Sequence, residues 1–227
     1  MNRYVITFSK MGTICYISHL DLMRMFRRTF KKAGIRLVYS QGFNPHPKMG
    51  FAQPLSLGYW GLREMMEFET VEEYDTEELR KTIASLMPDG IEIIDCRPLV
   101  GIRKTLAAAA AAAEYIIAIP VREPIGMAGQ DVKDRYMGQN SIITLKKQKK
   151  KKEPVEVDIK PMIRSIEFTP EEETLFVTAV LDSGSVSNLS PELVIDTLLK
   201  CLQLNIDRSE IAVMRKKIIF EKNNHQK

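Results

Sequence analysis

RYVITFSKMGTICYISHLDLMRMFRRTFKKAG, residues 3–34, joins a short alternating stretch to a longer one of helical period. In RYVITFS, Tyr4, Ile6 and Phe8 fall on one side of an extended chain, the pattern of a half-buried strand. Past Ser18 the period changes. Ser18 and Asp21 have capping-box spacing, Ile17 and Leu22 can form the flanking hydrophobic staple, and Gly34 supplies a stop, so the pattern predicts a helix over 19–33. At about 100° per residue, Leu22, Phe26, Thr29, Phe30 and Ala33 share one stripe while Arg24, Arg27, Arg28 and Lys31 share another. The apolar stripe is made for a core, and the basic stripe faces out.

Downstream, REMMEFETVEE alternates around Met66 and Phe68, Asp75 and Glu78 cap a helix running to Leu86, and IEIIDCRPLV forms another strand pattern. With a strand near Leu37 or Phe51, the order is βαββαβ. That is the ferredoxin-like arrangement, an antiparallel sheet with two helices on one face. Pro98 and Gly101 then break the pattern, which bounds a first domain at 1–103 and a second at 104–227. The alanine run at 107–113 is expected to be a short helical connector, because alanine is the best helix former. The second domain offers strands at 114–119, 141–146 and 174–181, a helix from Ser190 to about Leu202, and a strand at 211–220. The expected class is therefore α+β, two ferredoxin-like halves with antiparallel sheets, the second carrying an insertion at 147–168. KKQKKKKEP, residues 146–154, opens that insertion with six lysines in seven positions, expected to be a mobile loop or an electrostatic contact.

The chain of 227 residues is 44% hydrophobic and 27% charged, enough for a core without covalent staples. Cys15, Cys96 and Cys201 lie far apart, with neither a disulfide framework nor paired zinc-ligand spacing, which points to a reducing, cytoplasmic setting. The amino terminus has no signal-peptide core, and the most apolar stretch, 105–120, is mostly alanine and carries Glu114, so no membrane partner is expected. The net charge of +4 conceals an asymmetry: residues 1–60 hold nine Lys and Arg against Asp21 alone, and residues 61–100 hold four against eleven acids. Such separation suits a face offered to phosphates or to a partner protein; a solvated surface without a role is the plain alternative.

YSQGFNPHPKMGFA, residues 39–52, sets His46 between two prolines, which bias Asn44 and His46 toward extended geometry in a stiff, exposed loop. His19, in the first helical turn, projects toward the apolar side. His19, Asp21 and His46 are therefore expected to meet in a cleft beside this loop as an acid–base group, with Lys48 near to hold an anion; separate structural roles are the alternative. Cys15, His19, Asp21 and His46 do not have a known zinc spacing, and no metal is expected. Nucleophile elbow, P-loop and dinucleotide fingerprint are all missing from the sequence, so no cofactor is expected either. Arg24, Arg27, Arg28, Lys31, Lys48 and the lysine run can neutralise phosphates, and Tyr39, Phe43 or Trp60 can stack on unpaired bases, which makes RNA a candidate partner.

ISHLDLMRMFRRTFKKAG (17–34) followed by YSQGFNPHPKMGFAQPLSLG (39–58) resembles the opening of the bacterial radical-SAM-linked proteins, a domain of unknown function found beside or fused to radical S-adenosylmethionine enzymes. VDIKPMI (157–163) resembles a further motif of that family. The family pattern falls on His19, Asp21, Arg24, Gly42, Asn44, Pro45, His46, Pro47 and Lys48, and does not include Cys15. The resemblance implies a cytoplasmic bacterial companion of a radical SAM protein, in RNA-related metabolism. The cluster-bearing enzyme needs closely spaced cysteines, which this chain lacks. Substrate-binding roles are expected for Arg24, Arg27, Arg28, Gly42, Asn44, His46 and Lys48. Two other classes stay open: a metal-independent RNA-processing hydrolase using His19 and His46, and a protein-interaction module docking through the acidic stretch 64–78.

Overall fold

In the computed structural model, which describes residues 2–101, 104–146 and 153–221, the opening alternation becomes β1 (Asn2–Lys10) and the helical period becomes α1 (His19–Lys32). Ser18 caps the helix as its spacing predicts: its hydroxyl accepts the Asp21 N–H at 3.1 Å and donates to the Asp21 carboxylate at 2.7 Å. The chain leaves α1 through Gly34, whose φ of 71° lies in the left-handed region that glycine enters without a Cβ penalty.

Next come β2 (Met49–Phe51), β3 (Trp60–Thr70), α2 (Thr76–Ala84) and β4 (Ile91–Pro98). β1 pairs antiparallel with both β3 and β4, and β2 pairs antiparallel with the other edge of β3. Ile6 stands opposite Met66, and Phe8 opposite Glu64 and Ile93. Every second residue of these strands meets the helices: Tyr4, Ile6, Phe8, Met66 and Phe68 pack with Leu22, Phe26 and Phe30 of α1 and with Leu79 and Ile83 of α2. Burying a side chain such as Phe26 or Phe30 contributes about 1.5–3 kcal/mol, which is why the apolar stripe of α1 fixes the helix on the sheet.

The chain divides into two compact units, Met1–Ala111 with Arg215–Lys227, and Ala112–Met214. The first also holds α3 (Leu106–Ala109) and most of β10 (Ala212–Phe220), which neighbours β3. A second apolar cluster, Val5, Ala52, Leu106, Ala110 and Ile218, uses the opposite phase of β1. The other unit contains most of β5 (Ala110–Pro120), then α4 (Gly129–Met137), β6 (Ile143–Lys146), β7 (Val155–Asp158), β8 (Ile163–Pro170), β9 (Thr174–Asp182) and α5 (Pro191–Leu202). β9 lies between β5 and β8, antiparallel to both. Tyr136 of α4 shares a 2.7 Å hydrogen bond with Thr197 of α5 and sets its ring edge-on to Phe168; burial pushes its phenol up to about 12.

Two sequence expectations are corrected here. The stretch 141–146 supplies β6, but β6 pairs with β7 in a separate two-stranded sheet, and it is β8 that lies along β9. The alanine run divides: Ala107–Ala109 are helical, whereas Ala110–Ala113 begin β5, with Ala112 and Ala113 fully buried. Packing of small side chains on a covered strand overrides the intrinsic helical preference of alanine.

The described residues thus form an α+β fold with a mainly antiparallel sheet and five helices, none of them long and apolar enough to cross a membrane. The lysine run at 147–152 and the expected domain boundary at 102–103 lie outside the described residues.

Candidate functional site

The outward face of α1 follows directly from its period. Arg24, Arg27, Arg28, Lys31 and Lys32 are all exposed. Arg24, Arg28 and Lys32, four residues apart and so about 6 Å apart along the axis, edge an open groove of about 430 Å³. Met25, Thr29 and Leu86, just past α2, also line it. Asp21 closes one end and is the groove's only acidic residue, bound to Arg24 at 2.9 Å. The hydrogen bond from Ser18, and then that from Arg24, hold the Asp21 carboxyl below the usual carboxylate range, so it stays ionised. Three cations against one acid leave the groove suited to anions.

Under the first turn of the same helix lies a second group that the sequence reading missed. Lys10, Glu64 and Arg215 are only 2–3% exposed. Arg215 grips both oxygens of Glu64, at 2.8 and 2.5 Å, and donates to the carbonyls of Gln53 and Pro54 at 2.9 and 3.1 Å. Gly61 makes room for this pair, since a Cβ there would lie 2.6 Å from Cγ of Glu64. Lys10 donates to the carbonyls of Cys15 at 3.0 Å and Ile17 at 3.2 Å, tying the turn before α1 to the end of β1. A cavity of about 10 Å³ is lined by Lys10, Glu64, His19 and Gln53 beside the apolar Leu22 and Phe51. Burial lowers the Lys10 pKa from its ordinary value, and burial followed by the Lys10 charge lowers that of His19. The signal was present in the pattern. Lys10 continues the Tyr4, Ile6, Phe8 phase, and Glu64 continues the Met66, Phe68 phase, so both charges occupy positions that face the core.

The proline-bounded loop forms its own small hairpin. Tyr39 bridges Pro47, the Ser40 N–H donates to the His46 carbonyl at 2.8 Å, and the Ser40 hydroxyl accepts the His46 N–H at 3.0 Å. Gly42 has φ of 140°. Asn44 and His46 are exposed at this tip, as are Tyr39 and Phe43. Lys48 is half-buried and bound to Glu69 at 3.0 Å.

These placements separate the residues expected to converge. The His19 ring packs edge-on to Phe51 of β2, 5.2 Å between centroids, whereas His46 is exposed at the tip of the loop that precedes β2. Among the described residues, no hydrogen bond, ion pair or ring contact joins His46 to His19 or Asp21. His19 and Asp21 also diverge, one toward the small cavity and the other toward the open groove. The described residues contain no group of three or more His, Cys, Asp and Glu side chains arranged for a metal ion. The 157–163 stretch closes the β6–β7 hairpin: Asp158 accepts from the N–H groups of Ile142 and Lys160 at 2.9 and 3.0 Å.

Residues 3–191 match the family described as "Uncharacterized protein conserved in bacteria (DUF2344)". No curated protein matches the chain.

Proposed function

The chain belongs to that bacterial family, and we propose, on the resemblance of residues 17–34 and 39–58 to the radical-SAM-linked proteins, that it is an accessory protein of a radical SAM enzyme, recognising a phosphate-bearing substrate, RNA, and presenting it to that partner. The observation that carries this reading is the groove on α1, where Arg24, Arg28 and Lys32 are spaced for successive anionic groups and only Asp21 offsets them. Arg27 extends the cationic face, Lys48 makes a further anion contact, and Asn44 and His46 supply directional hydrogen bonds from a loop whose prolines and Ser40 contacts reduce the ordering cost of binding. Gly42 gives the tip its bend. In this reading the halves 1–103 and 104–227 are both ferredoxin-like and the protein works in the cytoplasm. The β4-β1-β3 order with β2 on the far edge of β3 supports the first, and the β5, β9, β8 neighbours support the second; the insertion expected at 147–168 is shortened at its end, because β8 from Ile163 pairs with β9.

Binding of a fluorescent single-stranded RNA to the purified chain, measured by anisotropy across a salt series, tests the recognition step. The expected result is salt-sensitive binding that weakens at least about tenfold when Arg24 and Arg28 are both changed to Glu. Binding equal to wild type in that variant overturns it. Co-purification from bacterial lysate, with bound proteins identified, tests the partner: recovery of a radical SAM enzyme supports the companion role, and its absence at native stoichiometry counts against it.

A further inference from the structure

The cavity beneath α1 has an imbalance of charge. Arg215 occupies both oxygens of Glu64, so that pair is internally compensated. Lys10, equally buried, hydrogen-bonds only the Cys15 and Ile17 carbonyls, and it feels the Glu64 charge, already engaged by Arg215, without forming an ion pair with it. Carbonyl dipoles satisfy two of its three N–H donors but bring no counter-charge, and a buried ammonium is ordinarily held by one. The remaining lining has donors to spare. Neither ring nitrogen of His19 makes a hydrogen bond among the described residues, and Gln53, whose side chain carries an amide, lines the same space. His19 is only half-buried, so the cavity is reached from the surface beside the first turn of α1.

We propose that this cavity is an oxyanion subsite, taking one oxygen of a phosphate or carboxylate group between the Lys10 ammonium, the His19 imidazole and the Gln53 amide. Size sets the stoichiometry. About 10 Å³ accommodates one water-sized atom, so a single oxygen enters and the rest of the anion stays at the mouth. Leu22 and Phe51 exclude water from the inner wall, which strengthens the attraction. The charges facing His19 are Lys10 from β1, the Glu64–Arg215 pair from β3 and β10, and Asp21 from α1 itself, which is turned toward the open groove. An anion supplies the counter-charge that the group lacks. This site is separate from the α1 groove and does not depend on RNA binding there.

The imidazole of His19 reports occupancy. In ¹⁵N-labelled full-length protein at constant ionic strength, its titration midpoint lies below the ordinary histidine value, because burial and Lys10 both oppose protonation. Adding inorganic phosphate or acetate is expected to raise that midpoint saturably, while the resonances of His46, on its separate exposed loop, stay in place. A response to phosphate alone assigns a phosphoryl ligand, a response to acetate alone assigns a carboxylate, and a response to both supports the shared oxyanion chemistry. Lys10→Met is expected to abolish the effect. Because that change alters a buried tether, Gln53→Leu is the companion variant; it spares the Gln53 carbonyl held by Arg215 and is expected to weaken the response several-fold. No movement of His19 with either anion, equal movement of both histidines, or a full response in the folded variants overturns the proposal.

Discussion

The outer face of α1 and the space beneath its first turn hold the same kinds of side chain under opposite conditions. Outside, Arg24, Arg27, Arg28, Lys31 and Lys32 stand in water, with Arg24 bound to Asp21 in a pair more than half exposed on both sides. Inside, Arg215 and Glu64 are sealed from solvent and locked by four hydrogen bonds to side chain and backbone. Exposed charges are cheap to hold and contribute little to stability, so they can be changed without unfolding the protein. Buried charges cost free energy to desolvate, so removing one member of a buried pair is expensive.

The largest expected effect follows from that contrast. Arg215→Met strands the Glu64 carboxylate inside the protein and should cost about 3–5 kcal/mol by urea unfolding. The double change Arg215→Met with Glu64→Leu should cost distinctly less, since no carboxylate is left buried without its guanidinium. Equal losses in the two variants would show that shape, not charge pairing, holds this part of the molecule together.

The cap between the two regions comes next. Ser18→Ala removes the acceptor for the Asp21 N–H and should cost about 1 kcal/mol. A smaller stability effect is expected on the outer face, where Arg24→Glu with Arg28→Glu should change unfolding free energy by less than about 0.5 kcal/mol. That variant sharpens the comparison, because a large loss of RNA affinity with unchanged stability places the purpose of those charges outside the fold.

Much of the first unit was legible because strand and helix each obey one period over many residues. Tyr4, Ile6 and Phe8 announce β1, and the stripe through Leu22, Phe26 and Phe30 announces α1 with its basic reverse. The buried charges were half legible: Lys10 and Glu64 stand on apolar phases, but nothing local to Glu64 names Arg215, 151 residues away. In the other unit, β8 escaped because its ladder shifts register between Ile163 and Ser165; the bulge breaks strict alternation, and the buried positions Ile163, Ile166 and Phe168 no longer show period two. The lack of direct contact between His19 and His46 was not legible at all: His19 packs on Phe51 of β2, while His46 is held in the loop hairpin by Ser40.

The weakest effect belongs to an exposed pair on α2, where the acid limb of stability isolates one charge. Glu77 accepts two hydrogen bonds from Arg80, both at 2.8 Å, and has Lys81 at 3.6 Å. The Arg80 hydrogen bonds, helped by the charges of Arg80 and Lys81, push the Glu77 carboxyl from its ordinary 4.5 down to about 2. A folded-state value below the unfolded one means the unfolded chain binds the proton more readily. The stabilisation is therefore complete above about pH 4.5 and lost as the pH falls toward 2. Full exposure and ordinary salt shrink it. Glu77→Gln should leave stability near neutral pH almost unchanged and flatten the acid limb between pH 4.5 and 2 relative to wild type, as read from urea midpoints across that window. A flattening as large as the loss in Arg215→Met would erase the distinction between exposed and buried charge on which the comparison stands.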